Sequence, residues 1–372
     1  MWEFSWLVRR SGHESEYADW DRVLDELAQR GYDCIRLDVF PHLVAAGATG
    51  NTDARFTILP RSKRFSWGNH SPVTVDPRRG LIEFLGKVAD RGMVIGASGW
   101  FNDDATHRVS EVHTPADYVR IWSETLSFLE QEGFHDLIEW VDLCNEFPCG
   151  LWAPEAYERV FGVRWPKMRP LWREWTDRQL ADTQAYWDVL PQLKERWPNL
   201  RFTWSTMFIG QDSIRRLDPS PLDVAEPHVW ISDDVRFCFR SGQLLALLET
   251  PGGIAMHQRL GPRVWGLWRD SWVKKLSARM DDWADWAHVN DLPLYTSEGW
   301  GPINYGDAPD SDGWEWEWVK DTSEVGVDLA IDKGWTGICT NNFCQPHFPG
   351  MWRDIAWHQA QTTKIKAHPE SS

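Results

Sequence analysis

The sequence predicts an α/β fold, a single (β/α)8 TIM barrel with long loops after strands 2, 4, 6 and 7. Three observations predict it. Short β-rich runs alternate with longer helical patterns from end to end. Those runs number eight. No Gly-rich phosphate loop follows the first of them, as an open doubly wound sheet would favour. The 372 residues fit one barrel with enlarged loops, and no linker or internal repeat interrupts them. Residues 1–372 are therefore expected to form one domain.

The predicted strands lie at about 2–7 (WEFSWL), 33–40 (DCIRLDVF), 94–101 (VIGASGWF) and 138–145 (IEWVDLCN). The second half supplies 201–207 (RFTWSTM), 223–230 (DVAEPHVW), 293–298 (PLYTSE) and 335–341 (WTGICTN). Helical spacing fills the gaps. Residues 17–30 place Trp20, Val23, Leu24 and Leu27 on one face, and Gly31 ends the helix. Residues 79–91, 115–132, 174–196, 271–289 and 319–332 read the same way. Long segments follow the second strand (42–78), the fourth (147–172), the sixth (231–268) and the seventh (299–318). Loops after barrel strands form the catalytic face, so long ones there are expected to shape a cleft. The final KIKAHPESS reads as a frayed tail.

Composition narrows the partners. With 55 acidic against 39 basic residues the net charge is −16. That excludes nucleic acid, which demands clustered Lys and Arg, and argues against acidic membranes and anionic polysaccharides. A neutral partner remains. The 27 tryptophans offer broad apolar faces with an N–H at the edge, suited to stacking under sugar rings. Trp20, Trp122, Trp187, Trp283 and Trp286 fall in helical patterns and are expected in the core. Trp100, Trp152, Trp230, Trp300, Trp314 and Trp316 fall at strand ends or in loops and are candidates for a cleft. Six cysteines occur without a CxxC pair, which predicts free thiols and no zinc site. The N-terminal MWEFSWLVRR lacks a signal pattern, and no apolar run approaches a membrane span. A reduced, cytoplasmic setting is the expectation. Asn69-His70-Ser71 forms a glycosylation-type triplet of the kind that arises often by chance.

Two glutamates stand at strand tips. IEWVDLCNEFP ends the fourth strand at Asn145-Glu146, and PLYTSEGWGP ends the seventh at Glu298. One such Glu is commonly a solvated loop residue. Two converge on one site, because carboxyl ends of barrel strands face the same side. Paired carboxyl groups, one protonated and one ionised, are what glycosidic cleavage requires.

Asn-Glu after an apolar fourth strand, with a second Glu after the seventh, resembles glycoside hydrolase clan A, nearest to the family 5 cellulase-like enzymes. The likeness spans nearly the whole chain as strand order, although its sharp motifs are short. It implies Glu146 as acid/base, Glu298 as nucleophile and Asn145 as the ligand of a sugar 2-hydroxyl. Arg36, in Cys34-Ile35-Arg36-Leu37, matches an Arg that the family carries near the nucleophile, where a cation favours the ionised form. A structural ion pair inside the barrel is the other role open to it. Asp38 shares its strand face with Arg36 and could hold sugar hydroxyls. His228-Val229-Trp230 falls where the family often has His-x-Tyr, which makes His228 and Trp230 candidate contacts. Trp100 and Asn102 after the third strand, Trp300 after the seventh and Asn341 after the eighth complete the expected substrate-binding set.

Departures from the family are equally visible. Trp230 replaces a Tyr, the third strand ends Gly99-Trp100-Phe101-Asn102 without a His, and the eighth ends Thr340-Asn341-Asn342-Phe343 without a Trp. The chemistry transfers better than the substrate.

The resemblance implies a retaining double displacement on a neutral β-linked oligosaccharide or glycoside, with no metal or organic cofactor. It needs a raised pKa at Glu146, expected from burial among aromatics and from Glu298. Exo action on short substrates is expected, with an endo-acting β-glucanase or mannanase as the alternative. A non-catalytic sugar-binding barrel is the rival from another class, but a binder has no need of both glutamates. A metal-dependent hydrolase would want His-x-His near the first strand, which reads Trp2-Glu3-Phe4-Ser5-Trp6.

Overall fold

A computed structural model describes residues 2–4, 16–47, 50, 52, 55–60, 71–207, 209–308 and 312–368. Asn69 and His70 of the glycosylation-type triplet, the rest of the N-terminal decapeptide and the last four residues of the tail lie outside them. All eight predicted strands are present, mostly shorter than the sequence suggests. The first five run Trp2–Phe4, Cys34–Asp38, Val94–Ser98, Ile138–Asp142 and Arg201–Thr203, side by side and parallel in chain order. Parallel bridges Thr206–Pro227 and Ala225–Leu294 carry the order on to the sixth and seventh strands. The sixth (Val229–Trp230) pairs with Gly299–Trp300 of the seventh, and Tyr295–Thr296 of the seventh pairs with Gly337–Ile338, the eighth. Tyr32, just before the second strand, meets Thr340 just after the eighth through their hydroxyls at 2.5 Å. The chain thus comes round to its start, as a (β/α)8 barrel requires.

The predicted helices appear at Trp20–Gln29, Pro77–Ala89, Pro115–Gln131, Arg269–Val289 and Glu317–Asp332. Local chemistry sets their starts. Asp19, Asp76 and Thr114 each accept a first-turn backbone N–H, and Pro77 and Pro115 occupy the first helical position, where no N–H is needed. Glycine matters where an indole lies against the backbone. A Cβ on Gly96 would lie 2.1 Å from the Trp140 ring, and one on Gly326 would lie 2.3 Å from Trp300. Neither position can take a side chain without moving an indole.

Four expectations need correction. Residues 174–196 form two helices, Asp177–Trp187 and Leu190–Arg196, because Pro191 has no N–H to continue the ladder onto Trp187. The segment 231–268 is mostly helical, as Val235–Ser241, Gln243–Leu247 and Gly253–Leu267. Gly242 and Gly252, both at φ 77°, cut the first two pieces short, and the third carries Gly253, Gly261, Pro262 and Gly266, which argue against a helix on propensity. The loop at 42–78 holds a two-stranded antiparallel ribbon, Phe56–Ile58 with Val73–Val75. Finally, the tail is helical through Lys366: Ile355–Lys366 is capped by Asp354, and Thr362 donates to the Arg30 carbonyl at 2.9 Å.

The tryptophans divide less neatly than their positions suggest. Trp122, Trp187 and Trp283 are buried as expected, while Trp20 and Trp286 are half-buried. Trp100, Trp152, Trp230, Trp300 and Trp316 are also buried, and only Trp314 of that group is exposed, at 54%. All six cysteines are free. Among the described residues, no helix is long and apolar enough to cross a membrane.

Candidate active site

Arg36 is the centre on which the site is built. It leaves the second strand fully buried and reaches two other strands, the fourth and the seventh. Its Nη1 donates to Glu298 Oε1 at 2.7 Å, and its Nη2 donates to Asp142 Oδ2 at 2.7 Å and Asn145 Oδ1 at 2.6 Å. Burial pulls its pKa down, yet Asp142, Glu298 and Glu226 together hold it well above the ordinary arginine value. Asp142, buried at the end of the fourth strand, also accepts from Ser98 Oγ (2.8 Å), Ser205 Oγ (2.9 Å) and Ser205 N (2.8 Å). A buried cation and anion are stable only when their remaining hydrogen-bonding positions are filled, and these strands fill them.

Glu146 follows from the same network. It stands in left-handed backbone at φ 50°, a conformation that costs a non-glycine residue about 1–3 kcal/mol. Ser205 holds it there, accepting Glu146 N on its hydroxyl at 2.9 Å and Phe147 N on its carbonyl at 2.8 Å. The Glu146 side chain turns toward Trp152, whose Nε1 donates to Oε2 at 3.0 Å, and toward His228 Nδ1, 3.3 Å from Oε1. Burial raises the Glu146 pKa against the lowering pull of Trp152 and Arg36, and Asp142 adds to the rise. The carboxylate that contributes is therefore Asp142, where Glu298 was expected.

Glu298 carries Arg36 on Oε1 and Asn342 Nδ2 on Oε2 at 3.2 Å. His228 Nδ1 lies 3.6 Å from its Oε1. One oxygen of Glu146, one of Glu298 and a ring nitrogen of His228 all fall within 4.8 Å of one another. Among the described residues this is the one group close enough to hold a metal ion, but the fixed charge of Arg36 beside Glu298 opposes a cation there. Burial lowers the His228 pKa to about 4, with Glu298 pulling upward and Arg36 adding to the fall, so its ring is neutral near pH 7.

The structure brings Arg36, Asn145, Glu146, His228 and Glu298 together. Trp100 joins them, its ring 5.4 Å from the Arg36 guanidinium and 5.3 Å from the Trp152 ring. Asp38 and Asn102 meet each other instead. Asn102 Nδ2 donates to Asp38 Oδ2 at 3.1 Å, and Asp38 Oδ1 accepts from Phe40 N and Trp100 N. They tie the second strand end to the third. Trp230 is buried, its backbone N–H donating to Asp233 Oδ2 at 2.8 Å. Trp300 and Asn341 turn away to the helix Glu317–Asp332. Trp300 packs on Gly326 and donates to the Cys339 carbonyl at 3.1 Å, while Asn341 Nδ2 donates to Ser323 Oγ at 2.8 Å. The neighbouring Asn342 takes the place expected for Asn341. Sequence reading also missed Asp142, Ser205, Glu226 and Ser297. A signal existed for Glu226 and Asp142: each is an acid within a strand run, one two residues before His228, the other closing the apolar alternation before Asn145.

Residues 1–366 match the family described as sugar-binding cellulase-like, and the chain belongs to that family. A crystal structure from Parabacteroides distasonis, provisionally described as a glycoside hydrolase, is similar at 31% identity and a TM-score of 0.85. The match covers 99% of this chain and 93% of that one. More distant likenesses include an endo-1,4-β-D-mannanase from Thermotoga petrophila, at 12% identity and a TM-score of 0.47, covering 90% and 85% of the two chains. An endocellulase from Pyrococcus horikoshii matches at 12% identity and a TM-score of 0.48, covering 97% and 92%. No curated protein matches the chain. The expected cellulase-like resemblance is thus borne out, and the chain carries a glycoside hydrolase fold.

Proposed function

We propose that the protein is a retaining β-glycosidase, a single catalytic domain acting on a neutral oligosaccharide or glycoside and removing terminal sugars. Glu298 is the nucleophile and Glu146 the acid/base. The observation that carries the reading is their unequal setting around one point. One oxygen of each lies within 4.8 Å of one of the other, close enough for both carboxyl groups to act on one anomeric carbon. Glu298 is held by a guanidinium and an amide, which suits an ionised nucleophile. Glu146 has its pKa raised by burial, which suits a proton donor.

Glu298 attacks the anomeric carbon while Glu146 protonates the departing oxygen. Glu146 then deprotonates the water that releases the sugar with its configuration retained. Asn145 Nδ2, buried without a protein partner, is the donor for the sugar 2-hydroxyl. Trp100 offers an apolar wall beside Arg36. Exo action is supported by the ribbon after the second strand and the three helices after the sixth, which enlarge the face where a cleft would close into a pocket. The six free thiols suit a reducing, cytoplasmic setting.

The test is hydrolysis of a panel of aryl β-glycosides and short β-linked oligosaccharides by wild type, Glu146→Ala and Glu298→Ala. Proton NMR of the first-formed anomer accompanies it. Retained configuration, with loss of about 10²-fold or more in each variant, is expected. Activity untouched by either substitution, or inverted product, overturns the reading.

A further inference from the structure

Behind His228 lies a line of polar side chains that the double displacement does not use. Glu226, two residues before His228, is 2% exposed. Its Oε2 accepts from Trp140 Nε1 at 3.0 Å, and its Oε1 lies 2.5 Å from Ser297 Oγ. Ser297 Oγ lies 3.2 Å from His228 Nε2, and the opposite ring nitrogen, Nδ1, lies 3.3 Å from Glu146 Oε1. The line therefore starts in the barrel interior and ends on Glu146. Glu226 Oε1 is also ion-paired with Arg36 Nε at 3.7 Å, but that nitrogen makes no hydrogen bond, so the hydrogen bonds of both Glu226 oxygens go to a neutral indole and a hydroxyl.

We propose that Glu226 is the buried end of a proton relay, Glu226–Ser297–His228–Glu146, that exchanges one proton with the acid/base. It rests on the reading of Glu146 given above, and Glu226 is a positioning and proton-storing residue that does not touch substrate. The line has two balanced states. In one, Glu226 Oε1–H donates to Ser297 Oγ, the Ser297 hydroxyl donates to His228 Nε2, and His228 Nδ1–H donates to ionised Glu146. In the other, each proton has moved one place, from Glu226 to Ser297, from Ser297 to Nε2, and from Nδ1 to Glu146. Glu226 becomes the carboxylate and Glu146 the neutral acid. The imidazole stays neutral, and the charge of the line is unchanged. The second state loads Glu146 for protonating the leaving group. The first, reached when Glu146 has drawn a proton from water, stores that proton for the next turnover.

The surroundings suit the exchange. Burial and the Asp142 charge push the Glu226 pKa well above the ordinary carboxylate range, against Arg36, Ser297 and Trp140. Glu226 can therefore hold a proton near neutrality. His228, faced by Glu146 and Glu298 with Arg36 and Asp142 beyond, is kept neutral by burial, as a relay with two states requires.

Glu226→Gln tests the relay, since an amide can keep the contacts to Trp140 and Ser297 but cannot give up a proton. The measurement is kcat/KM on two substrates with the same sugar. An alkyl glycoside needs leaving-group protonation, whereas a 2,4-dinitrophenyl glycoside does not. Glu226→Gln and Ser297→Ala are expected to lose about tenfold or more on the alkyl glycoside and under about twofold on the dinitrophenyl one. Wild-type rates on the alkyl glycoside, or equal loss on both substrates, overturn the relay. Glu146→Gln is the control. If it shows no such discrimination, the acid/base reading has failed; if it does and both relay variants do not, the relay alone has failed.

Discussion

Arg36 and Glu298 meet across the barrel with Nη1 2.7 Å from Oε1, a buried guanidinium from the second strand against a carboxylate at the tip of the seventh. The same guanidinium reaches Asp142 and Asn145, so one side chain sets the spacing of three elements. Lysine cannot reproduce this, because an ammonium is a single point with no planar fork. Arg36→Lys is expected to lower kcat/KM by about 10²-fold through misplacement of Glu298 and Asn145. Arg36→Ala is expected to cost about 3–5 kcal/mol of stability, by leaving buried carboxylates unpaired. Urea unfolding together with steady-state kinetics separates the two effects.

Asn342 holds Glu298 while Asn341 holds a helix, and their variants should divide accordingly. Asn342 donates to Glu298 Oε2 and accepts from Gly299 N at 2.7 Å. Asn342→Ala is expected to reduce kcat by about tenfold or more and, by leaving Gly299 N without its acceptor, to lower stability by about 1–3 kcal/mol as well, so the loss of kcat is what sets it apart. Asn341→Ala removes the bond to Ser323 and the acceptor for Phe343 N, so it is expected to lower stability by about 1–3 kcal/mol. The reverse division would mean that the two side chains have exchanged places.

That pair shows where sequence reading stops. The order of eight strands, the two strand-tip glutamates and the arginine in the second strand were all legible. Alternation along a strand fixes which side a residue faces, and the fourth strand delivers Asn145 and Glu146 from a long apolar run. The eighth strand ends at Ile338, three residues before Asn341, and beyond it no period of two survives to choose between neighbours. Trp300 was misplaced for a related reason: a strand-end indole can turn to the cleft or to a helix, and the choice rests on Gly326, distant in sequence. Asp142, Glu226, Ser205 and Ser297 escaped because a polar residue inside a strand has meaning only through partners on other strands.

Trp152 tunes Glu146, and removing its N–H should show in the pH profile. The bond from Nε1 to Glu146 Oε2 favours the ionised carboxylate and so works against burial, which raises the pKa. Trp152→Phe keeps most of the aromatic surface and loses that donor. The Glu146 pKa should rise further, and the alkaline limb of kcat/KM should move to higher pH by about half a unit to one unit. A limb that stays in place or moves down would mean that another group sets it.

Asp233 gives a stability test that does not depend on catalysis. Its Oδ2 accepts from Trp230 N and faces Arg279 Nη1 at 3.4 Å, while its Oδ1 is buried without a partner. Burial raises its pKa to about 7, against the lowering effect of Arg279. A carboxyl whose folded pKa lies above its unfolded value contributes stability that is fully present below the unfolded pKa. That contribution is lost as pH rises toward the folded pKa, because the unfolded chain ionises first. Asp233→Asn removes the ionisation and can keep the acceptor for Trp230. Its stability relative to wild type should therefore increase between about pH 5 and pH 8, by roughly 1–2 kcal/mol. Denaturant melts at the two pH values measure the difference. A gap that stays constant would place the Asp233 titration outside that window, and a gap that narrows would mean that Arg279 outweighs burial.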